Sequence, residues 1–281
     1  MTNLIARGWA KPVPQRLIVL LILVFCVTLI GFYTATDANR LEDSHLLDGS
    51  DYVGYSICHR LTDRSFTIAG RQLPLCARCT GIYLGVILTF IILTLAGRKR
   101  WSQLPPLRIM LILIGFVVIM GIDGINSYSH FFAGLPHLYE PQNWLRLVTG
   151  TGAGLAMGLI LFPALSQTIW KQQIQRPALG SLWELAGIVL LAGLLIGMVL
   201  SNQPTILYVL GLASAAGVII ALMSINGAAA LILTRKDARA DNWRQASVPL
   251  GIGLVLALLQ IGIISFLRFS WTGTLTGFPG L

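Results

Sequence analysis

The chain alternates between long apolar stretches and short polar connections. About 20 largely apolar residues cross the ~30 Å hydrocarbon core of a bilayer as a helix. Stretches of that kind lie near residues 17–34, 80–97, 107–125, 146–165, 183–201, 205–233 and 247–269. This pattern predicts an all-α integral membrane protein, a polytopic bundle of about seven transmembrane helices.

Polar segments interrupt this pattern at three informative places. The segment 35–79 is the longest, and its acidic first half differs from its second half, which carries apolar and aromatic residues. Within it, residues 68–72 are typical of a turn between two short extended pieces. A second polar segment, 126–145, is expected on the same side of the membrane. Residues 224–227 interrupt the sixth stretch and predict a tilt, a kink or an early end there.

The composition leaves no room for a separate soluble domain. Of 281 residues, 55% are hydrophobic and only 11% are charged, and the mean hydropathy is +0.76. The lipid bilayer is therefore the expected partner. A net charge of +9 would fit nucleic-acid binding, but the distribution of the charge explains it otherwise, and no nucleic-acid partner is expected.

Basic residues concentrate in alternate connections, as the positive-inside rule requires of cytoplasmic segments. A cytoplasmic N-terminus and an outer C-terminus place 13 of the 20 basic residues inside. These residues are Arg7, Lys11, Arg16, Arg98, Lys99, Arg100, Arg108, Lys171, Arg176, Arg235, Lys236, Arg239 and Arg244. The predicted topology is N-in, C-out, with the segment 35–79 outside.

The first stretch has features of a signal peptide as well as of a membrane helix. Arg16 precedes it, and Ala35 and Ala38 follow it. However, its apolar run covers residues 17–32, which exceeds the usual hydrophobic region of about 7–15 residues in a signal peptide. We predict a membrane helix and leave its cleavage open. Cys26, within this stretch, is interpreted as a small buried apolar residue.

Glycine spacing predicts which helices pack most closely. Gly81 and Gly85 are four residues apart in the second stretch, and Gly150, Gly154 and Gly158 repeat that spacing in the fourth. Small residues at this spacing let membrane helices approach backbone to backbone. The outer ends of the second and fourth helices are therefore expected to be neighbours.

A carboxylate near the outer end of the third stretch needs a partner, because a charge in the bilayer is costly. This carboxylate is Asp123, and Arg146 at the outer end of the next stretch is its predicted partner. Asn143 and Thr149 are expected nearby. The pair is compatible with a structural salt bridge and with a functional role.

Three cysteines and a histidine in the outer segment are the leading candidates for chemistry. Cys58 and His59 are adjacent, and Cys76 and Cys79 follow at the start of the second helix. Three thiolates with an imidazole suit zinc, and His130, His137, Asp123 or a water could take the place of His59. We predict a metal site with these four residues as ligands. The expected supporting residues are Arg78, Asp123, Asn143, Arg146 and Thr149.

Two other uses of the thiols stay open. In a thiol–disulfide oxidoreductase, Cys76 and Cys79 would be the exchanging pair, with a thiol pKa lowered by the helix dipole and by Arg78. Cys58 would then resolve the mixed disulfide or link to a partner. Alternatively, a structural disulfide from Cys58 to Cys76 or Cys79 would pin the loop to the membrane.

An enzyme acting on a lipid-linked phosphate is a further alternative. Arginines at headgroup level can bind phosphate in a bidentate manner, with Asp123 as a base or cation ligand. The arginines concerned are Arg60, Arg64, Arg71, Arg78 and Arg146. The sequence lacks a P-loop, a dinucleotide-binding glycine motif and a zinc-protease motif. Whether the protein is an enzyme therefore stays open.

Several motifs together resemble the signature of a known family. They are Cys58-His59-Arg60, Arg64-Ser65-Phe66, Asp123-Gly124, the Pro-Leu-Cys-Ala-Arg-Cys-Thr-Gly-Ile-Tyr-Leu-Gly string of residues 74–85, and the Asn-Trp-Leu-Arg-Leu-Val-Thr-Gly string of residues 143–150. Over about residues 52–158 the chain resembles an uncharacterised family of prokaryotic integral membrane proteins, classed as a domain of unknown function. It departs from that family at residues 61–63 and 140–142. The resemblance implies a prokaryotic plasma membrane location and no particular activity.

The resemblance and the spans together predict four regions. Residues 1–34 form the N-terminal segment and first helix, and residues 35–79 form the outer Cys/His loop. Residues 80–165 contain helices two to four, which complete the family core. Residues 166–281 add helices five to seven as an extension.

Overall fold

A computed structural model describes residues 45–130 and 138–275 of the chain. The helices are α1 His45–Ile57, α2 Ala77–Leu95, α3 Leu107–Ser129, α4 Asn143–Ile169, α5 Leu182–Leu200, α6 Pro204–Leu233 and α7 Trp243–Thr272. Six of them, α2 to α7, are long and apolar enough to span a membrane. The protein is therefore a multi-pass helical membrane protein, as predicted. The first predicted stretch, 17–34, and its cleavage lie outside the described residues.

Short strands and turns connect these helices at two opposite ends of the bundle. The strands are β1 Thr67–Ile68, β2 Arg71–Gln72, β3 Trp101–Gln103 and β4 Ile174–Pro177, and a 3₁₀ turn covers Thr62–Arg64. β1 and β2 form an antiparallel hairpin, which confirms the turn predicted at residues 68–72. We call the end formed by residues 45–79, 138–142 and 201–203 the cysteine end.

The opposite end, formed by residues 96–106, 170–181 and 234–242, is called the basic end. There β3 pairs with β4 in parallel, and an isolated bridge joins Trp170 to Ala240. Arg98 forms an ion pair with Glu184 at the start of α5. The connections that the positive-inside rule assigns to the cytoplasm therefore meet at one end of the bundle.

The α2–α4 pair has the most extensive contact between helices, and glycines line it. A Cβ atom on Gly154 would lie 2.0 Å from the carbonyl oxygen of Ile82, and one on Gly81 would lie 2.4 Å from that of Leu147. Gly150 approaches the Arg78 carbonyl in the same way. The predicted close packing of the second and fourth helices is confirmed, and α4 is the most buried of the spanning helices.

Two features of the fold differ from the predictions. Helix α1 lies in the acidic part of the outer segment, for which no helix was predicted. It buries one face through Leu47, Ser50 and Gly54, while Asp48 and Asp51 pair with arginines of the loop that follows. The short spacing of its apolar residues among acidic ones hid this amphipathic pattern.

Helix α6 continues without a break through residues 224–227, so an early end there is wrong, and the alternatives of a tilt or a kink stay predictions. The Ser224 hydroxyl donates to the Ile220 carbonyl at 2.7 Å, which satisfies it within the helix. The polar and small residues serve packing against α7, because a Cβ on Gly253 would lie 2.3 Å from the Met223 carbonyl oxygen. Asn226 also donates to Gln260 of α7 at 3.2 Å.

Candidate metal centre

Cys58 is positioned by a close backbone contact between α1 and the segment that enters α2. Its backbone N–H donates to the Gly54 carbonyl at 2.8 Å, which extends the last turn of α1. A Cβ on Gly54 would lie only 1.8 Å from the Pro74 carbonyl oxygen. Only glycine permits this approach, which places Cys58 beside the residues that follow Pro74.

Cys76 and Cys79 are positioned by the start of α2. The β1–β2 hairpin returns the chain to the membrane, and Cys76 is the N-cap residue of the helix. Cys79 lies in the first turn. Because the N-terminus of a helix carries a partial positive charge, it favours a thiolate at the N-cap residue Cys76.

The three sulfur atoms of Cys58, Cys76 and Cys79 form one cluster. All of them lie within 4.8 Å of one another, and the three cysteines are free thiols. Cys58 is buried, whereas Cys76 and Cys79 are partly exposed, and Val218 of α6 packs against the cluster. Zinc–sulfur bonds of about 2.3 Å put tetrahedral ligand sulfurs about 3.8 Å apart. The cluster is therefore already close to the size that a bound metal requires.

Hydrogen bonds within the cluster shift the pKa values of Cys58 and Cys76 in opposite directions. The backbone N–H of Cys76 donates to the Cys58 sulfur at 3.2 Å. Hydrogen bonds donated by the thiols of Cys58 and Cys79, together with the charge of Arg78, hold the pKa of Cys76 well below its usual range. The shared hydrogen bond with Cys76 raises the pKa of Cys58 to about 12. These contacts therefore favour the thiolate form at Cys76 over Cys58.

His59 does not join the sulfur cluster. Its side chain is exposed, and among the described residues no fourth histidine, cysteine or carboxylate lies within the same distance of the three sulfurs. His130, the other described histidine considered as a donor, ends α3 and lies 3.4 Å from the Tyr139 carbonyl oxygen. His137 lies outside the described residues. The fourth ligand predicted from the sequence stays a prediction.

Asp123 is buried beside the cluster, where it accepts hydrogen bonds from three other residues. Arg78 donates to its Oδ2 from Nη2 at 2.5 Å and from Nε at 3.2 Å. The Tyr139 hydroxyl donates to Oδ1 at 2.8 Å, and the Thr149 hydroxyl lies 3.4 Å from Oδ2. The partner of Asp123 is thus Arg78, and the prediction of Arg146 is wrong. The Cys-x-x-Cys motif carries the counter-ion itself, because the first turn of α2 aims Arg78 at α3.

Arg146 lies nearby but makes different contacts. It is 5% exposed, and its Nη1 donates to the Asn143 side chain at 2.8 Å. Asn143 in turn donates to the Asp63 carbonyl at 3.1 Å, which ties the start of α4 to the 3₁₀ turn. Asn143, Arg146 and Thr149 therefore lie together at the outer end of α4.

The other arginines of the lipid-phosphate hypothesis are mostly occupied. Arg60 pairs with Asp51 at 2.8 Å, and Arg71 pairs with both Asp48 and Asp51. Arg64 donates to the Ser127 carbonyl at 3.0 Å, close to Arg78, which donates to the hydroxyl of the same serine at 3.2 Å. Two of the five arginines are thus held by carboxylates away from Asp123.

Comparisons with known proteins match part of the chain to a family of membrane proteins. Residues 58–160 match a family described as predicted membrane proteins, DUF2085. An uncharacterised protein of Methanocaldococcus jannaschii is 33% identical over 122 residues, which cover 43% of this chain and 72% of the relative. One from Methanothermobacter thermautotrophicus is 37% identical over 84 residues, covering 28% of this chain and 76% of the relative. The chain belongs to the DUF2085 family. No solved structure matches it.

The DUF2085 match contains all three cysteines, Asp123 and Arg146, but one contact of the site comes from outside it. Arg268 of α7 donates to the carbonyl oxygens of Tyr55 at 2.6 Å, Cys58 at 2.5 Å and His59 at 3.2 Å. It thereby binds the carbonyls at the end of α1 that the helix itself cannot satisfy. The sequence interpretation missed Arg268, whose only signal was a charge near the outer end of the last apolar stretch.

We expect Arg268→Gln to weaken metal binding without removing any ligand. The loss of three charge-assisted bonds frees the carbonyl groups that hold Cys58, and changes of this kind around a ligand lower metal affinity about tenfold or more. Zinc competition with a chromogenic chelator measures the effect. Arg244→Gln, at an exposed position in the first turn of α7, is the control, and equal affinity of both variants would contradict a role for Arg268.

Proposed function

We propose that the protein binds a transition metal, zinc foremost, through Cys58, Cys76 and Cys79 on the outer side of a prokaryotic plasma membrane. The observation that supports this proposal is the cluster of three sulfurs within 4.8 Å, built from two separate segments of the chain. The basic residues at the opposite end of the bundle support an outer location for this site.

The donor set favours zinc over the harder cations. Thiolates select zinc, copper(I) and iron–sulfur clusters, whereas magnesium and calcium prefer oxygen. The N–H of Cys76 and the N-terminus of α2 would stabilise the thiolates around the metal. Three protein ligands and an open fourth position are typical of catalytic zinc, which lowers the pKa of a bound water to about 7.

Arg78, Asp123 and Arg268 would hold this donor set in place. Arg78 joins the first turn of α2 to α3 through Asp123, so that two spanning helices determine the position of Cys79. Arg268 joins the Cys58 turn to α7. The positions of the three cysteines therefore depend on contacts with α2, α3 and α7.

Metal analysis and thiol counting on the full-length protein in detergent test the proposal. We expect about one zinc per chain, lost in the Cys76→Ser, Cys79→Ser double variant and retained in Cys26→Ser. The Cys26 variant removes a thiol predicted to lie outside the site. Protein purified without metal that fails to take up zinc on addition would overturn the proposal.

Thiol–disulfide exchange is the second candidate, and the lowered pKa of Cys76 favours it. A thiolate at Cys76 would attack a disulfide of a partner protein, and Cys79 would release the reduced partner by forming a Cys76–Cys79 disulfide. In this case two of the site thiols would become countable only after reduction, and zinc would be absent.

A further inference from the structure

Arg146 differs from the paired arginines of the molecule. Arg60, Arg71, Arg78 and Arg98 each form an ion pair with a carboxylate. Arg146 is as deeply buried as Arg60, yet it forms no ion pair with any carboxylate in residues 45–130 or 138–275. Burying a guanidinium without a counter-ion costs free energy. A group that supplies the negative charge is therefore expected beside Arg146.

The free edge of Arg146 has a defined shape. Its Nη1 donates to Asn143, which is the one hydrogen bond of this side chain within the described part of the chain. Its Nε is buried and has no hydrogen-bond partner. The edge formed by Nε and Nη2 is the side of a guanidinium that binds two oxygens of an oxyanion at once.

No carboxylate oxygen of residues 45–130 or 138–275 accepts a hydrogen bond from this edge. Asp123 lies within electrostatic range of Arg146, but both of its oxygens already accept hydrogen bonds, from Arg78, Tyr139 and Thr149. Asp63 is exposed and lies beside Arg64.

Positive charge converges on the same place. Arg64 and Arg78 both lie within electrostatic range of Arg146 and repel it. The positive end of α4 adds to this field, because Arg146 is only three residues, about 4.5 Å along the axis, from the first residue of the helix. Three guanidiniums within one membrane-interface site favour an anion with more than two oxygens.

We propose that the Nε–Nη2 edge of Arg146, together with Arg64 and Arg78, binds the phosphate group of a ligand beside the cysteine cluster. Two phosphate oxygens bind Arg146, and the remaining oxygens face Arg64 and Arg78. The site lies near the ends of three helices long enough to span a membrane, so that a lipid phosphate and a free phosphate are both chemically suitable. This inference does not depend on the metal.

Binding to full-length protein in dodecyl maltoside, in phosphate-free buffer, tests the proposal. The probes are inorganic phosphate and dihexanoyl phosphatidic acid, and the controls are dihexanoylglycerol and sodium chloride of equal ionic strength. Calorimetry and the thermal midpoint measured by tryptophan fluorescence report binding. We expect at least one phosphate probe to bind and to raise the midpoint, and neither control to do so.

The decisive variant is Arg146→Gln, with Arg71→Gln as the matched control at the same end of the molecule. Arg146→Gln is expected to weaken phosphate binding about tenfold or more, because it removes a charge-assisted bidentate contact. Without ligand it should be at least as stable as the native protein, since it removes an unpaired buried charge. Arg146→Lys keeps the positive charge but lacks the planar Nε–Nη2 edge, so it should weaken phosphate binding to a similar extent.

The possible outcomes distinguish a lipid phosphate from a free phosphate, and they include results that would overturn the proposal. Binding of phosphatidic acid alone identifies a lipid headgroup, and binding of inorganic phosphate identifies a free anion. Failure of both probes to bind the native protein overturns the proposal. So does equal loss of binding in Arg71→Gln, or a loss of ligand-free stability in Arg146→Gln, which would indicate a purely structural arginine.

Discussion

Gly154→Ala is expected to separate α2 from α4 and to destabilise the whole bundle. The added methyl group would lie 2.0 Å from the Ile82 carbonyl oxygen, which is backbone and cannot rotate away. Two helices must therefore move apart along a contact on which the cysteine site depends. We expect a cost at the upper end of the about 1–3 kcal/mol that overpacking usually causes. Thermal unfolding of the detergent-solubilised protein measures it.

Gly193→Ala provides the control for this experiment. Gly193 lies on α5, and nothing lies within 4 Å of a Cβ placed there. The substitution adds the same methyl group and the same helix propensity, so it should be neutral or stabilising by up to about 1 kcal/mol. If the two variants unfold at the same temperature, close backbone packing does not stabilise the α2–α4 pair.

Asp123→Ala is expected to have the second large effect. It leaves Arg78 beside the cysteine cluster without its carboxylate and removes the acceptor of the Tyr139 hydroxyl. Breaking a buried pair from one side costs about 3–5 kcal/mol. The lower end applies here because the Arg78 side chain is 23% exposed. The free energy of unfolding and the zinc content should both be lower than in the native protein.

A double variant distinguishes pairing from general loss of packing. Arg78→Gln combined with Asp123→Ala should cost clearly less than the sum of the two single changes, because neither charge is then left alone. Asp48→Asn, at an exposed carboxylate that pairs with Arg71, should change stability little. Additive costs for Arg78 and Asp123 would show that they do not act as a pair.

Apolar length and glycine spacing were sufficient to predict most of the fold. Helices α2 to α7 lie where the apolar stretches predicted them, although α2 and α4 begin earlier, at Ala77 and Asn143. The first turns of these two helices are polar and contain Cys79 and Arg146. A prediction from hydropathy alone therefore begins each helix too late. Helix α1 escaped prediction because its stability depends on packing against α6 and α7 rather than on its own composition.

The site was only partly predictable. Cysteine spacing brought out Cys58, Cys76 and Cys79, and their sulfurs do form a cluster. The partner of Asp123 was not predicted correctly. Arg78 and Arg146 both lie near the same end of a helix, and only the direction of each side chain decides which of them reaches Asp123. Tyr139 and Arg268 carry no motif, and their roles depend on contacts between distant parts of the chain.

The bond from Arg268 to the Cys58 carbonyl also sets an order of events during synthesis. The two residues are 210 positions apart. At roughly 5–20 residues per second, the ribosome adds Arg268 about 10–40 s after Cys58 has emerged. Through that interval the carbonyl groups of Tyr55 and Cys58 lack the Arg268 guanidinium. The surroundings of Cys58 are therefore complete only after the last helix has been synthesised.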